Sequence, residues 1–432
     1  MKVAITTLGC RVNVYESEAM LEIFKKDGFQ VVDYDEFADV YVINTCTVTN
    51  TGDKKSRQLI RRAKRKNEKA IVAVVGCYSQ VASEEVKEID GVDIVLGTRN
   101  KSEILYWVNR VIDENKQFVV VNDVLKNKQF EKLKIEEYND KTRAFLKIQD
   151  GCNNFCSYCL IPYARGAVCS KDRELILEEA RELSKNGFKE IILSGIHTAS
   201  YGVDLKEDVD LMTIVEDIDK IQGIERIRIG SIDPTFFTDD IINRLDKVNK
   251  MCPHFHLSLQ SGCNETLKRM NRKYTAENYK LCVEKLREVM PMVAITTDII
   301  VGFPGETNEE FEKTYEFLKN LKLAKTHVFR FSPRTGTRAA KMDNQVDGKV
   351  SAERSARLIE LNEENERLFM EKFIGTTSKV LFEEEIGDGV YTGYTENYLK
   401  VNAESVKDIN GSIEEVKISG VEDNTLIGEG LK

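Results

Sequence analysis

Three cysteines at Cys152, Cys156 and Cys159, separated by gaps of three and then two residues, bring three thiols onto one short loop. A structural zinc ion normally takes four protein ligands. No fourth is near, because His197 lies well downstream and Cys169 comes after Pro162 and the Arg165-Gly166 turn. Three thiolates without a fourth suit a 4Fe-4S cluster whose remaining iron is open to a non-protein ligand. An open iron is a place where a reaction can occur. The ordinary alternatives at this spacing are three inert buried cysteines or a degenerate zinc knuckle.

Three further cysteines share a local pattern. VAITTLG runs into Cys10, VYVINT into Cys46 and AIVAVVG into Cys77, so each thiol follows directly on an apolar, strand-like run. Ligands of an open parallel sheet gather outside the carboxyl ends of its strands. Cysteines far apart in sequence are therefore expected to meet at one edge and form a second three-thiol cluster site. Taken singly, each would be an ordinary core cysteine.

These residues need a scaffold, and 432 residues are too many for one core, so two or three domains are expected. The fold class is α/β. Residues 1–121 alternate apolar runs with amphipathic stretches and read as an open parallel-sheet domain. Residues 122–142 turn polar and lose that periodicity, as a linker does. From 143 to 371 six strand-like runs, RAFLKIQ, EIILSGI, RIRIGSI, HFHLSLQ, VAITTDIIV and THVFRF, alternate with helical segments, which predicts a partial (β/α)6 barrel. Chemistry in such barrels collects at the C-terminal strand ends, and the Cys152 loop follows the first strand. Residues 372–432 break into short β-runs with Gly and Asn turns, predicting a small antiparallel β-barrel.

Ten cysteines would permit disulfides. Yet the first residues carry no apolar signal-peptide core, no window approaches a membrane span, and 31% of residues are charged. The expectation is a cytoplasmic chain in a reducing compartment, with no membrane partner and with clustered cysteines binding metal. A net charge of -9 argues against indiscriminate nucleic-acid binding, but residues 54–69 hold nine Lys or Arg against the single acid Glu68.

The CxxxCxxC loop resembles that of the radical S-adenosylmethionine (SAM) enzymes, in which the open iron chelates SAM and an electron splits the sulfonium to give a carbon radical. The domain order resembles the methylthiotransferases throughout the chain, the last segment being similar to a TRAM domain. Residues 43–58, 151–166, 194–202 and 269–275 are similar to the tRNA-modifying members. The resemblance implies two 4Fe-4S clusters, one on Cys10, Cys46 and Cys77 that carries sulfur and one on Cys152, Cys156 and Cys159 that works with SAM. It implies tRNA as partner, an electron donor such as flavodoxin or ferredoxin, and 2-methylthio transfer to N6-threonylcarbamoyladenosine beside the anticodon. Sister groups act on N6-isopentenyladenosine in tRNA or on a ribosomal-protein aspartate. A non-enzymatic reading is an iron-sulfur electron carrier or an RNA-binding sensor.

Within this frame the strand ends offer SAM contacts: Ser194 and Gly195 after the second strand, Ser231 and Asp233 after the third, Gln260 after the fourth and Gly302 after the fifth. If the basic stretch is a helix, Leu59, Ile60 and Ala63 face the core while Arg57, Arg61, Lys64 and Arg65 share the outer face, suited to RNA phosphates. Arg330, Arg334 and Arg338, near the sixth strand end, are candidates for the substrate carboxylate. Two features depart from the family pattern. Ala167-Val168-Cys169-Ser170-Lys171 replaces arginines after the Arg-Gly turn, and residues 372–432 carry twelve acids against six lysines and no arginine. Such a domain cannot hold tRNA through bulk charge.

Overall fold

The computed structural model describes residues 1–47, 50–126, 129–133, 135 and 142–431, leaving the side chains of residues 50–53 aside. Six parallel strands, Lys2–Thr7, Gln30–Val31, Val40–Thr45, Ile71–Gly76, Ile94–Leu96 and Phe118–Val120, form the N-terminal sheet in the spatial order second, first, third, fourth, fifth, sixth. Helices cover both faces, which is why the central strands are Val- and Ile-rich without polar alternation. Val42, Ala73, Val75 and Leu96 pack on one side, and Tyr41, Ile43, Val72 and Val74 on the other. The strand order reverses between the first and third strands, the switch point at which such sheets bind ligands.

Six parallel strands follow: Arg143–Lys147, Glu190–Ser194, Arg226–Ile229, His254–His256, Ala294–Val301 and Lys325–Arg330. They pair as two groups of three, joined by the single bridges Ile227–Met251 and Ile232–Leu257, so the barrel is partial as expected. Helices Arg173–Lys185, Leu211–Asp219, Ala276–Val289 and Asn308–Leu321 pack outside it. Asp172, Asp210, Thr275 and Thr307 cap them by accepting main-chain N–H bonds, each cap being worth about 1 kcal/mol. Alternate strand residues such as Leu146, Leu193, Phe255 and Ile295 enter the apolar core beneath the helices. The residues between them face the lumen.

Helix Gly348–Glu371 leads to a closed five-stranded barrel of Thr377–Gly387, Val390–Thr395, Lys400–Glu404, Ile413–Glu422 and Thr425–Gly428. Its pairings are antiparallel except one: Val401 and Asn402 run parallel to Leu426 and Ile427, because closure brings the last strand beside the third. This domain stoppers the N-terminal strand ends of the larger barrel. Arg226 donates to the carbonyls of Tyr394 and Lys379, Arg228 to that of Glu396, and the Asn397 amide to that of Met292 at 2.6 Å. Much of the linker expected over 122–142 lies outside the described residues. Within it, Val124, Leu133 and Ile135 are buried, the last two against Tyr15 and Ala19 of helix Arg11–Lys26.

Candidate active site

The Cys152 loop leaves the first barrel strand through Gly151, whose φ of 71° lets the chain turn where a Cβ would stand 2.0 Å from the Ala167 carbonyl oxygen. Phe155 also takes a left-handed φ, 46°. The turn aims main-chain N–H groups at sulfur: Asn154 at Cys152 Sγ and Ile161 at Cys159 Sγ, both at 3.4 Å. Arg272 Nη1 stands 3.3 Å from Cys156 Sγ. Donors to sulfur are what a cluster's thiolates require. Burial pushes the Cys159 thiol up to about 12 and that of Cys152 above its ordinary range, so loading metal here would release protons.

Segment 269–274 clamps this loop from the fourth-strand side. Asn271, at φ 61°, donates to the carbonyls of Asn154 and Phe155, while Ser157 bonds the carbonyls of Arg269 and Met270. Arg272 ties the loop to Asp233 at 3.2 Å and to the Ser258 carbonyl at 3.3 Å. His197, its basicity lowered by burial, sits 3.1 Å from the Asn154 amide. Sequence reasoning gave Arg272, Asn271 and His197 no role. The only signals were that residues 194–202 and 269–275 belonged to stretches with family resemblance.

Cys10, Cys46 and Cys77 follow the first, third and fourth strands of the N-terminal sheet, adjacent to one another in space. Gly9 makes the approach possible. At its φ of +111° a Cβ would lie 2.9 Å from Cys46 Cβ and 3.1 Å from Cys46 Sγ. Burial lifts the Cys77 thiol to about 11 against the pull of Arg165, with Cys10 and Cys46 adding to the lift. No disulfide joins any of the ten cysteines. Among the described residues no three His, Cys, Asp or Glu side chains close on one point as ligands of a single ion would. A cluster asks for less, since each iron takes its own thiolate, and a three-thiol donor set with glycine clearance fits one at both places.

Between the two triplets runs a buried ionic seam. Arg165, just after the Cys152 loop, donates to Glu16 at 2.8 Å, to Asp150 at 3.1 Å and to Asn13 Oδ1 at 2.6 Å. Cys10 Sγ lies 3.6 Å from that same Asn13 oxygen. Lys147 reaches Glu16 and Asp150, both at 2.7 Å, and Lys101 reaches Glu16 at 3.2 Å. Burial alone would raise the Glu16 and Asp150 carboxyls, but these cations hold both below their ordinary ranges. On the far side of the barrel opening, Arg334 donates to Thr47, next to Cys46, at 2.8 Å.

A cavity of about 640 Å³ fills the lumen, bounded by Cys10 and Arg11 from the N-terminal domain, by Ser194, Gly195 and Ser231 at strand ends, and by Tyr398 at the stoppered end. Of the strand-end residues expected to meet SAM, those three line it. Asp233 instead accepts from Thr235 and Arg272, Gln260 turns at φ 70°, and Gly302 passes Ser351 where a Cβ would meet carbon at 2.6 Å. Arg330 and Arg338 are exposed, Arg338 beside Cys156 and Cys159, and Arg334 is buried on Thr47, so none of the three lines the lumen. Cys169 is buried and pairs through its backbone with Asp150.

Helix Asn50–Lys66 buries Ile60 and Ala63 and half-buries Leu59, as its periodicity predicts. On the outer face Arg57 pairs with Glu85 and Lys64 with Asp93 at 3.1 Å. Arg61 and Arg65 stay exposed. Among the described residues no helix is long and apolar enough to cross a membrane.

Residues 146–318 match the Radical SAM superfamily, and residues 2–97 match Uncharacterized protein family UPF0004. The chain is 45% identical over 421 residues to the threonylcarbamoyladenosine tRNA methylthiotransferase MtaB of Bacillus subtilis, covering 96% of this chain and 93% of that one. It is 37% identical over 426 residues to the Thermotoga maritima protein of the same name, covering 98% and 96%. It is 36% identical over 439 residues to the tRNA-2-methylthio-N(6)-dimethylallyladenosine synthase of Alkaliphilus oremlandii, covering 100% and 93%. In fold it is similar to the radical SAM methyltransferase TsrM of Kitasatospora setae, with TM-score 0.58 and 14% identity over 79% of this chain and 75% of that one.

Proposed function

This chain belongs to the radical SAM tRNA methylthiotransferase family, and we propose that it converts N6-threonylcarbamoyladenosine beside the anticodon of tRNA to its 2-methylthio derivative. The observation that carries the reading is the placement of two three-thiol sites on either side of one seam, with Cys10 opening into the lumen that also holds the SAM-side strand ends. Membership brings SAM and a 4Fe-4S cluster. We assign that cluster to Cys152, Cys156 and Cys159, and a second, sulfur-carrying cluster to Cys10, Cys46 and Cys77.

Adenine C2 bears a hydrogen that no side-chain base can usefully remove. When bound and reduced by an outside donor such as flavodoxin or ferredoxin, the cluster with SAM supplies a carbon radical able to take it. The chain's own residues hold and orient. Segment 269–274 fixes the cysteine loop; Ser194, Gly195 and Ser231 offer small or hydroxylated edges to SAM; and the N-terminal sheet presents Cys10 to the lumen. Arg61 and Arg65, with Arg57 and Lys64 behind them, offer phosphate contacts, and a single-stranded anticodon loop lets one base leave its stack cheaply.

The lumen supports threonylcarbamoyladenosine over the isopentenyl nucleoside. Its lining includes His254, His256, His327, Lys325 and Arg11, a polar wall that suits a carboxylate and a hydroxyl better than an apolar tail. The test is mass spectrometry of tRNA nucleosides after reaction of the anaerobically reconstituted protein with each modified tRNA. A methylthio product on threonylcarbamoyl tRNA alone is expected. Preference for isopentenyl tRNA would overturn the substrate assignment.

A further inference from the structure

Arg11 directly follows Cys10 and opens helix Arg11–Lys26. Its guanidinium lies in the lumen over the rings of Phe145 and Tyr398, 5.7 and 5.6 Å from their centroids. It donates one hydrogen bond, to the Tyr398 hydroxyl at 3.3 Å. An arginine has five N–H donors, and among the described residues the others find no acceptor and no carboxylate pairs with the charge.

Glu190, the acid whose charge bears on Arg11, receives Arg228 at 2.8 Å, and Glu366, on the same cavity wall, receives Lys325 at 2.7 Å. Among the described residues three guanidiniums gather around Tyr398, those of Arg11, Arg143 and Arg228, and of these only Arg11 is without a carboxylate partner. A half-buried cation with open donors on a cavity wall suits an anion, because an arginine–carboxylate pair forms two charge-assisted bonds in one plane.

Two carboxylates enter this lumen on the function proposed above: that of SAM and that of the threonylcarbamoyl group. Position favours the second. Arg11 comes from the domain that presents Cys10, and it touches Tyr398 at the stoppered end of the barrel, away from the Cys152 loop at the opposite strand ends. We propose that Arg11 receives the carboxylate of the threonylcarbamoyl side chain and is the residue that selects this nucleoside. This inference rests on the proposed substrate. An isopentenyl tail would leave the guanidinium desolvated and unpaired, the condition under which a polar site rejects an analogue strongly.

The experiment is equilibrium binding of anticodon stem-loops carrying threonylcarbamoyladenosine or its methyl ester to the full chain, with SAM affinity measured alongside. Wild type is expected to bind the acid roughly tenfold to a hundredfold more tightly than the ester, as for a hydrogen bond to a charged group. Arg11→Gln is expected to bring that ratio near one, and Arg11→Lys to keep part of it. A wild type that binds acid and ester alike overturns the proposal without any variant. So does an Arg11→Gln protein that keeps the wild-type ratio, or one that keeps the ratio while losing SAM affinity, which would make SAM the anion. A wild type that fails to methylthiolate threonylcarbamoyl tRNA in the nucleoside assay removes the premise instead.

Discussion

At the scale of single residues, the loop cysteines have no spare. Cys152, Cys156 and Cys159 are each approached by a donor to sulfur, and the histidine beside the loop, His197, is engaged with Asn154 and Ser200. Replacing any one of the three by alanine is expected to abolish reductive SAM cleavage, read as 5′-deoxyadenosine by chromatography. Cleavage retained in one of them would remove that thiol from the assignment. Arg272 acts one bond further out, through Cys156 Sγ and Asp233. Hydrogen bonds and positive charge at cluster sulfurs raise reduction potential. Arg272→Gln is therefore expected to lower the midpoint potential of the loop cluster in a redox titration followed by electron paramagnetic resonance, with Arg272→Lys in between; an unmoved potential would leave Arg272 as a clamp only.

At the scale of elements, much was legible because periodicity and strand-end position are local signals. The Val and Ile runs ending in Cys10, Cys46 and Cys77 became neighbouring parallel strands, and the Leu59, Ile60 and Ala63 stripe became the buried face of a helix. What sequence hid was convergence. Arg272 and Asn271 act on a loop far away along the chain, and beyond the resemblance of their stretch nothing beside them marks that partner; Arg11, although next to Cys10, meets Phe145 and Tyr398 only through the fold. The parallel pairing of Val401 with Leu426 was hidden for the same reason, since barrel closure and not a hairpin creates it. Pairing also separates the basic residues: Arg57 and Lys64 lean on Glu85 and Asp93, so Arg61 and Arg65 have more charge to offer RNA. Reversing both to Glu is expected to weaken tRNA binding and to reduce its salt dependence by about 0.7–0.9 in log–log slope for each phosphate no longer neutralised. Equal affinity and slope in a filter-binding salt series would return them to plain surface.

At the scale of the whole molecule, the seam of Arg165, Lys147, Lys101, Glu16 and Asp150 holds the two thiol triplets in register. Breaking a buried ion pair strands its partners, so Glu16→Gln is expected to cost about 3–5 kcal/mol in chemical denaturation; a loss well under 1 kcal/mol would show that the seam is replaceable. Glu16 and Asp150 are held below the ordinary values of 4.5 and 3.8 in the folded chain. As pH falls the unfolded chain binds these protons first, so their stabilisation is complete above about pH 4.5 and is lost progressively below it. Glu16→Gln should flatten that acid limb. The central claim is that two separate clusters serve one substrate site, and the most direct measurement is iron content together with nucleoside products for the Cys10→Ala, Cys46→Ala, Cys77→Ala triple variant. The expected result is half the wild-type iron, with SAM cleavage retained and no methylthio nucleoside formed; wild-type iron, or methylthio product at the wild-type level, would contradict it.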